Sequence, residues 1–344
     1  VLVLTVDPAR RLATALGLDR ALGNEPVRVD QPGKGQLWVA MLDTKQSWDD
    51  LVRRHAPDRK TRDAILSNPL YQNLTGKFVA AHDYIAAERL HELDATGEWD
   101  LIVIDTPPSR HALDFLQAPA RMAEFFGSRL LRWLTVPYRS KVFNLASRPF
   151  FAIADRTLGA QFLSDIAEFF ILFQTMEAGF VTRARAVDRT LRSEGTSFVV
   201  VTTLEPLPAR EAEGFANALR GRGFRLGALV ANRALPGELL DGAVEKAAEQ
   251  LRGRLDELGD EVVRQLDRDA TPEDVRRLLS EVLAGYGYMH QAATRQVALA
   301  NRLRPLAPVF VTAPVLDRDV TDLEGLEELS RSLESKQAGR VGVN

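Results

Sequence analysis

The sequence contains no cysteine. Disulfides, thiolate zinc sites and cysteine nucleophiles are therefore excluded, and a reducing compartment fits. A basic excess is missing as well: 44 Lys and Arg residues face 47 Asp and Glu residues, for a formal net charge of −3. A dedicated nucleic-acid binder needs surplus cations to neutralise phosphates, so no nucleic-acid partner is expected. Long apolar runs are also lacking. The longest candidate, residues 162–180, is interrupted by Asp165, Glu168 and Glu177, and falls short of the roughly 20 apolar residues that a membrane span needs. Val1 opens an apolar segment with neither a starting Met nor a basic leader, so a soluble cytoplasmic protein is the expectation. What is present is ordinary globular material, 45% hydrophobic over 344 residues, enough for one large domain or two modest ones.

Six short, continuous apolar runs read as buried parallel strands: residues 1–6, 36–42, 100–105, 197–203, 226–232 and 308–314. Helical patterns separate them. This alternation predicts an α/β fold with a doubly wound, mainly parallel sheet. Residues 208–223 make a compact crossover helix closed by Gly221 and Gly223. Two connections are far too long for crossovers. Residues 111–195 are rich in Phe, Leu and Trp, and residues 234–306 are charged, with Thr271 as a cap and Pro272 in the first helical position. Both are expected to be helical insertions, because structureless loops of that length are improbable. The predicted organisation is a core built from 1–110, 196–233 and 307–334, a helical subdomain over 111–195, a helical insertion over 234–306 and a flexible tail over 335–344. Because the first residues already form a strand, a preceding βα unit of roughly 30 residues is expected upstream.

Ligands of open parallel sheets bind beyond the carboxyl ends of the strands. Here those ends carry Asp7-Pro8, Asp105-Thr106-Pro107-Pro108 and Asn232. Asp7 fits a helix N-cap followed by proline, and equally a carboxylate that orients a water toward a terminal phosphate. Asp105 closes the run Leu-Ile-Val-Ile in the manner of an acid beside bound Mg²⁺. His111 stands where a helix begins, as a phosphate sensor or as a solvated residue. Asn232 suits an adenine edge or a plain turn. A phosphate-cradling G-x-x-x-x-G-K-[ST] loop is absent: Gly33-Lys34 runs into Gly35, and Gly76-Lys77 into Phe78. Without that cradle, tight ATP binding by these residues alone is not expected.

Taken together, these segments resemble the ArsA-type (anion-transporting) ATPases, a P-loop NTPase family that includes the arsenite-pump ATPase and the targeting factor for tail-anchored membrane proteins. Residues 5–18, TVDPARRLATALGL, resemble the family's switch I, and 103–116, VIDTPPSRHALDFL, its switch II. Residues 230–236, VANRALP, resemble the adenine-reading segment, and 313–329 the stretch after the last strand. The resemblance implies ATP and Mg²⁺ as cofactors. It implies Asp7 as the residue positioning the attacking water, and Asp105 near the metal, through a water. It also implies His111 as a switch II residue, and Asn232, Pro314 and Val315 around the base. It further implies a homodimer or a heterodimer with a paralogous ATPase. Two departures stand out. The family's deviant Walker A loop would lie just upstream of Val1. The absence of cysteine removes the thiolates that arsenite and a dimer-bridging zinc require.

Within the first insertion, Phe162, Phe169, Phe173 and Met176 recur at helical spacing with Leu163, Ile166 and Phe170. Such a stripe is either the subdomain's own core or a groove for an apolar client or membrane-protein partner. Arg129, Arg132, Arg139 and Lys141 sit among aromatics over 125–141 and read as a solvated basic face or a membrane contact. Three functions follow as expectations: an N-terminally truncated ATPase whose hydrolysis moves the helical subdomain, a binding module for an apolar client or paired ATPase, or a non-hydrolysing partner subunit.

Overall fold

A computed structural model describes residues 1–6, 11–18, 22–31, 35–75, 79–106, 116–118, 120–121, 124, 169–173, 175–265 and 271–338. The chain divides into two compact units, residues 1–196 with 321–323 and residues 197–320 with 324–344.

The first unit contains strands β1 (Leu2–Thr5), β2 (Val27–Val29), β3 (Leu37–Met41) and β4 (Ile102–Asp105), ordered β2-β3-β1-β4. β1 pairs in parallel with both β3 and β4, and β2 adds an antiparallel edge that its short sequence had not signalled. Helices α1 (Arg11–Ala15), α2 (Thr44–His55), α3 (Arg59–Ser67), α4 (Pro69–Thr75), α5 (Val79–Thr96) and α6 (Glu177–Arg192) complete the described elements. Two of them start on aspartate caps: Asp43 accepts from the Gln46 N–H and Asp58 from the Thr61 N–H, satisfying donors that a helix start leaves open. One sheet face is apolar. Leu2, Leu4 and Ala40 pack with Leu93, bordered by Trp38, Trp99, Ile102 and Ile104.

A second core is aromatic. Trp48, Tyr84 and Phe180 lie with ring centroids 5.8–6.2 Å apart, and Phe173 stacks on Phe180 at 5.4 Å. Beside it a charged pair is buried between α5 and α6: Arg183 meets Glu88 at 2.8 Å. The Tyr84 hydroxyl donates to Glu88 Oε2 at 2.7 Å.

In the second unit, β5 (Phe198–Thr203), β6 (Leu226–Ala234) and β7 (Val309–Pro314) form an all-parallel sheet in that order. Helix α7 (Pro206–Gly221) is the crossover between β5 and β6, and buries Ala209, Ala212, Ala216 and Leu219. Its small side chains let helix and sheet approach closely. The long connection before β7 is helical as expected, with α8 (Gly242–Gly253), α9 (Leu255–Gln265) and the 32-residue α10 (Pro272–Leu303). Helix α10 begins with a reciprocal capping box between Thr271 and Asp274, and has Pro272 in its first turn. The last helix, α11 (Leu323–Ala338), follows β7.

Candidate functional site

The carboxyl ends of β1 and β4 bring a hydroxyl to a carboxylate. Parallel pairing sets Thr5 opposite Asp105, and Thr5 Oγ1 donates to Asp105 Oδ2 at 3.1 Å. The backbone closes the same corner, with the Val6 N–H donating to the Asp105 carbonyl at 3.0 Å. Thr5 is buried whereas Asp105 is exposed. The carboxylate is therefore oriented from the protein side and open on the other. An anion held this way suits a metal that keeps its own waters, because Mg²⁺ is commonly bound by one or two carboxylates plus phosphate oxygens. Among the described residues, no group of three or more His, Cys, Asp or Glu side chains is arranged to hold a metal by itself. Asp7 and His111 lie outside the described residues.

The second unit offers a different strand end. Ala231 pairs with Thr312 and Ala234 with Pro314, so β6 spends three residues where β7 spends two. The surplus is taken up at Arg233, whose φ of 57° is the only positive value at a non-glycine among the described residues. A left-handed residue with a side chain costs roughly 1–2 kcal/mol, and local hydrogen bonds offset it. The Asn232 Oδ1 accepts from the Arg233 N–H at 2.9 Å, and the Leu235 N–H donates to Gln296 Oε1 of α10 at 2.8 Å. The Val315 N–H donates to the Ala234 carbonyl at 3.0 Å. Asn232, Pro314 and Val315 thus share one strand-end corner, fixed by a bulge. Bulges re-aim side chains in this way. The half-exposed Asn232 keeps its NH₂ donors free of hydrogen bonds among the described residues.

Sequence reasoning missed two features. Thr5 opens the segment resembling switch I but carries no site role in the sequence, although its place directly opposite Asp105 follows from parallel register. The bulge at Arg233 leaves no composition signal, since arginine does not favour positive φ.

The apolar stripe of the first insertion is packed rather than open at its described members. Phe169, Phe173 and Met176 are buried. Phe173 lies 6.3 Å from Trp48 and 6.4 Å from Tyr71, ring centroid to centroid. Phe162 lies outside the described residues. Burial also dominates the charge behaviour nearby. It pushes the Glu88 carboxyl above its ordinary range, opposed by the Tyr84 hydrogen bond and by Arg183, and it pushes the Tyr71 and Tyr84 phenols up as well. No described helix is long and apolar enough to cross a membrane.

Mainly parallel strands, helical insertions and polar residues gathered at carboxyl strand ends define a P-loop NTPase-like α/β protein. A sequence model of the anion-transporting ATPase family matches residues 1–262, and the chain belongs to that family. It is also similar to "ATPase GET3" of Malassezia globosa (strain ATCC MYA-4612 / CBS 7966), being 27% identical over 120 residues. That match covers 35% of this chain and about a third, 34%, of the relative.

Proposed function

We propose that this chain is an ATPase that couples Mg²⁺-assisted hydrolysis of ATP to movement of its helical subdomain. The observation that carries the reading is the Asp105 carboxylate at the end of β4, steadied by Thr5 and open to solvent, within the stretch that matches the family. Asp105 supports the metal, through a water. The metal, when bound, supplies charge neutralisation on the phosphates. Asp7 orients the attacking water, which is the positioning role that phosphoryl-transfer catalysis demands. His111 follows the phosphate state from switch II. Asn232 reads the adenine edge with its amide, and the backbone at Pro314 and Val315 lines the base. Thr5 holds the Asp105 carboxylate in orientation and is a positioning residue.

The protein acts in the cytoplasm as a dimer of identical or paralogous subunits. An apolar client is the second reading, favoured by the Phe-rich insertion; it requires the packed stripe at Phe169, Phe173 and Met176 to open.

The test is steady-state hydrolysis of Mg²⁺·ATP by the full-length protein. Asp7→Asn is expected to remove turnover by 10²-fold or more, of the order seen when a positioned catalytic group is lost, while nucleotide binding by calorimetry is retained. Undiminished turnover in that variant rejects the assignment. Asn232→Ala is expected to weaken ATP binding about tenfold, and GTP binding less, since an amide–base hydrogen bond contributes about 1 kcal/mol.

A further inference from the structure

A glutamine sits on the buried face of α10. Ala293 and Ala300 are buried one turn to either side of Gln296, a spacing that puts all three on one side of the helix. An amide on such a face needs a polar partner, and this one finds it outside its own helix. Gln296 Oε1 accepts from the Leu235 N–H at 2.8 Å. Leu235 follows the last residue of β6, so the helix rather than the sheet takes that donor. Two further hydrogen bonds close the same corner around the left-handed Arg233. Asn232 Oδ1 takes the Arg233 N–H at 2.9 Å, and Val315, just past β7, donates to the Ala234 carbonyl at 3.0 Å. Both lie within the strand ends themselves. Of the three, only the Gln296 bond ties the corner to a helix, and that helix is fixed in turn to α7 by Arg302 and Glu213 at 2.9 Å.

We infer that Gln296 is a positioning residue for base recognition, holding the bulge in the register that sets Asn232 against Pro314 and Val315. The backbone strain at Arg233, φ 57°, favours a return to regular pairing. Counting on from the match of Ala231 with Thr312, regular pairing would put Asn232 opposite Ala313 and Arg233 opposite Pro314. The observed match is Ala234 with Pro314, one residue further on. A slip of that kind changes the spacing between the Asn232 amide and the backbone of Pro314 and Val315. Loss of the Gln296 acceptor leaves the Leu235 N–H without its partner and removes the one tie from outside the strands that opposes the slip. Gln296 therefore acts through Asn232 and β7 rather than on the nucleotide. The carboxylate assigned to the metal, Asp105, belongs to the other unit, so a disturbed corner should alter which base is bound and not the phosphate chemistry. The inference deepens the adenine-reading part of the proposed function and rests on it.

Calorimetric binding of Mg²⁺·ATP and Mg²⁺·GTP to the full-length protein, with kcat for ATP, tests it. Gln296→Leu keeps the bulk and loses the acceptor. It should weaken ATP binding about fivefold, the size of one hydrogen bond, with GTP binding and kcat within about twofold of wild type. Gln296→Glu keeps an acceptor and should restore the preference for ATP. In an Asn232→Ala background, Gln296→Leu should cost ATP binding less than about twofold, because the two residues act on one contact. An unchanged ATP-to-GTP preference in Gln296→Leu, beside a reduced one in Asn232→Ala, overturns this inference alone. An unchanged preference in Asn232→Ala overturns the base-reading assignment and this inference with it. Hydrogen exchange of the wild type gives a readout free of substitutions. If the Leu235 bond favours the base, the base favours the bond by reciprocity, so ATP should slow exchange of the Leu235 amide more than GTP does. Equal protection by the two nucleotides overturns the inference.

Discussion

The two units solve the same problem, covering a parallel sheet, with different chemistry. In the first, Thr5, Asn24, Ser47, Asn68, Asp83 and Glu88 are buried polar or charged residues; in the second, among the described residues, only Thr202 is. The first unit is held by polar contacts: the buried Glu88–Arg183 ion pair, the Tyr84 hydroxyl, and a hydrogen bond between Thr190 Oγ1 and His91 Nδ1 at 3.3 Å. The ion pair and the Thr190 contact join α5 to α6, and the Tyr84 bond within α5 steadies Glu88 for the pair. The second unit rests on alanine-lined helix–sheet contacts and a well-capped long helix. Apolar contacts tolerate small shifts, whereas a buried ion pair is satisfied in one geometry and costly in others. The first unit is therefore the one whose helices are held to a defined geometry rather than by apolar contact alone.

The largest expected effect breaks this comparison directly. Arg183→Ala leaves Glu88 buried without its cation and should destabilise the first unit by about 3–5 kcal/mol. The matched change in the second unit, Arg302→Ala, removes a partly exposed pair with Glu213 and should cost no more than about 1 kcal/mol. Trp38, Trp48 and Trp99 lie in the first unit, so urea unfolding followed by tryptophan fluorescence reads the first cost, and far-ultraviolet circular dichroism of the same samples reads the second. Equal costs for the two substitutions would mean that the buried pair does not hold α6 in place.

The strands were legible as continuous apolar runs, and all six expected runs are strands, although Val103, Val199 and Val201 are exposed, so apolar continuity did not mark burial on both faces. The cap at Thr271 was legible too, since hydroxyl, proline and acid at fixed offsets have one common use. The short β2 was not. Three residues, Val27–Val29, carry too little periodicity to separate a strand from a turn, and pairing with β3 alone decides it. At the candidate site, Asp105 and Asn232 could be named as polar residues closing apolar strands. Their surroundings could not: the Thr5 hydroxyl depends on register between segments 100 residues apart, and the left-handed Arg233 is imposed by β7. The Glu88–Arg183 pair was invisible for the same reason, because charges on two helices are indistinguishable from solvated ones until the helices meet.

A smaller effect sharpens the contrast from the other side. Thr271→Ala removes the hydroxyl that accepts from the Asp274 N–H and donates to its carboxylate. It should cost the second unit about 1 kcal/mol, seen as a lower melting temperature in far-ultraviolet circular dichroism. The tryptophan-monitored transition of the first unit should not move. A coincident loss in both probes would mean that the two units unfold as one, and the comparison would fail at that point.

The smallest effect is a pH dependence assigned to the first unit. Partial burial, then the positive charges of Arg183 and Arg54, hold the His55 imidazole below its ordinary value of 6.5, with Glu92 opposing. The unfolded chain therefore binds this proton more readily than the folded one, and stability is lost as pH falls below about 6.5 toward the lowered folded value. His55→Gln removes the proton and should flatten that part of the profile while leaving the alkaline side unchanged. Arg183→Ala should recover part of the same flattening, since it withdraws one of the two repelling cations. If the acid-side slope of the tryptophan-monitored stability is identical in wild type and His55→Gln, the cation cluster around Arg183 does not reach His55. The electrostatic contrast between the units would then rest on Glu88 alone.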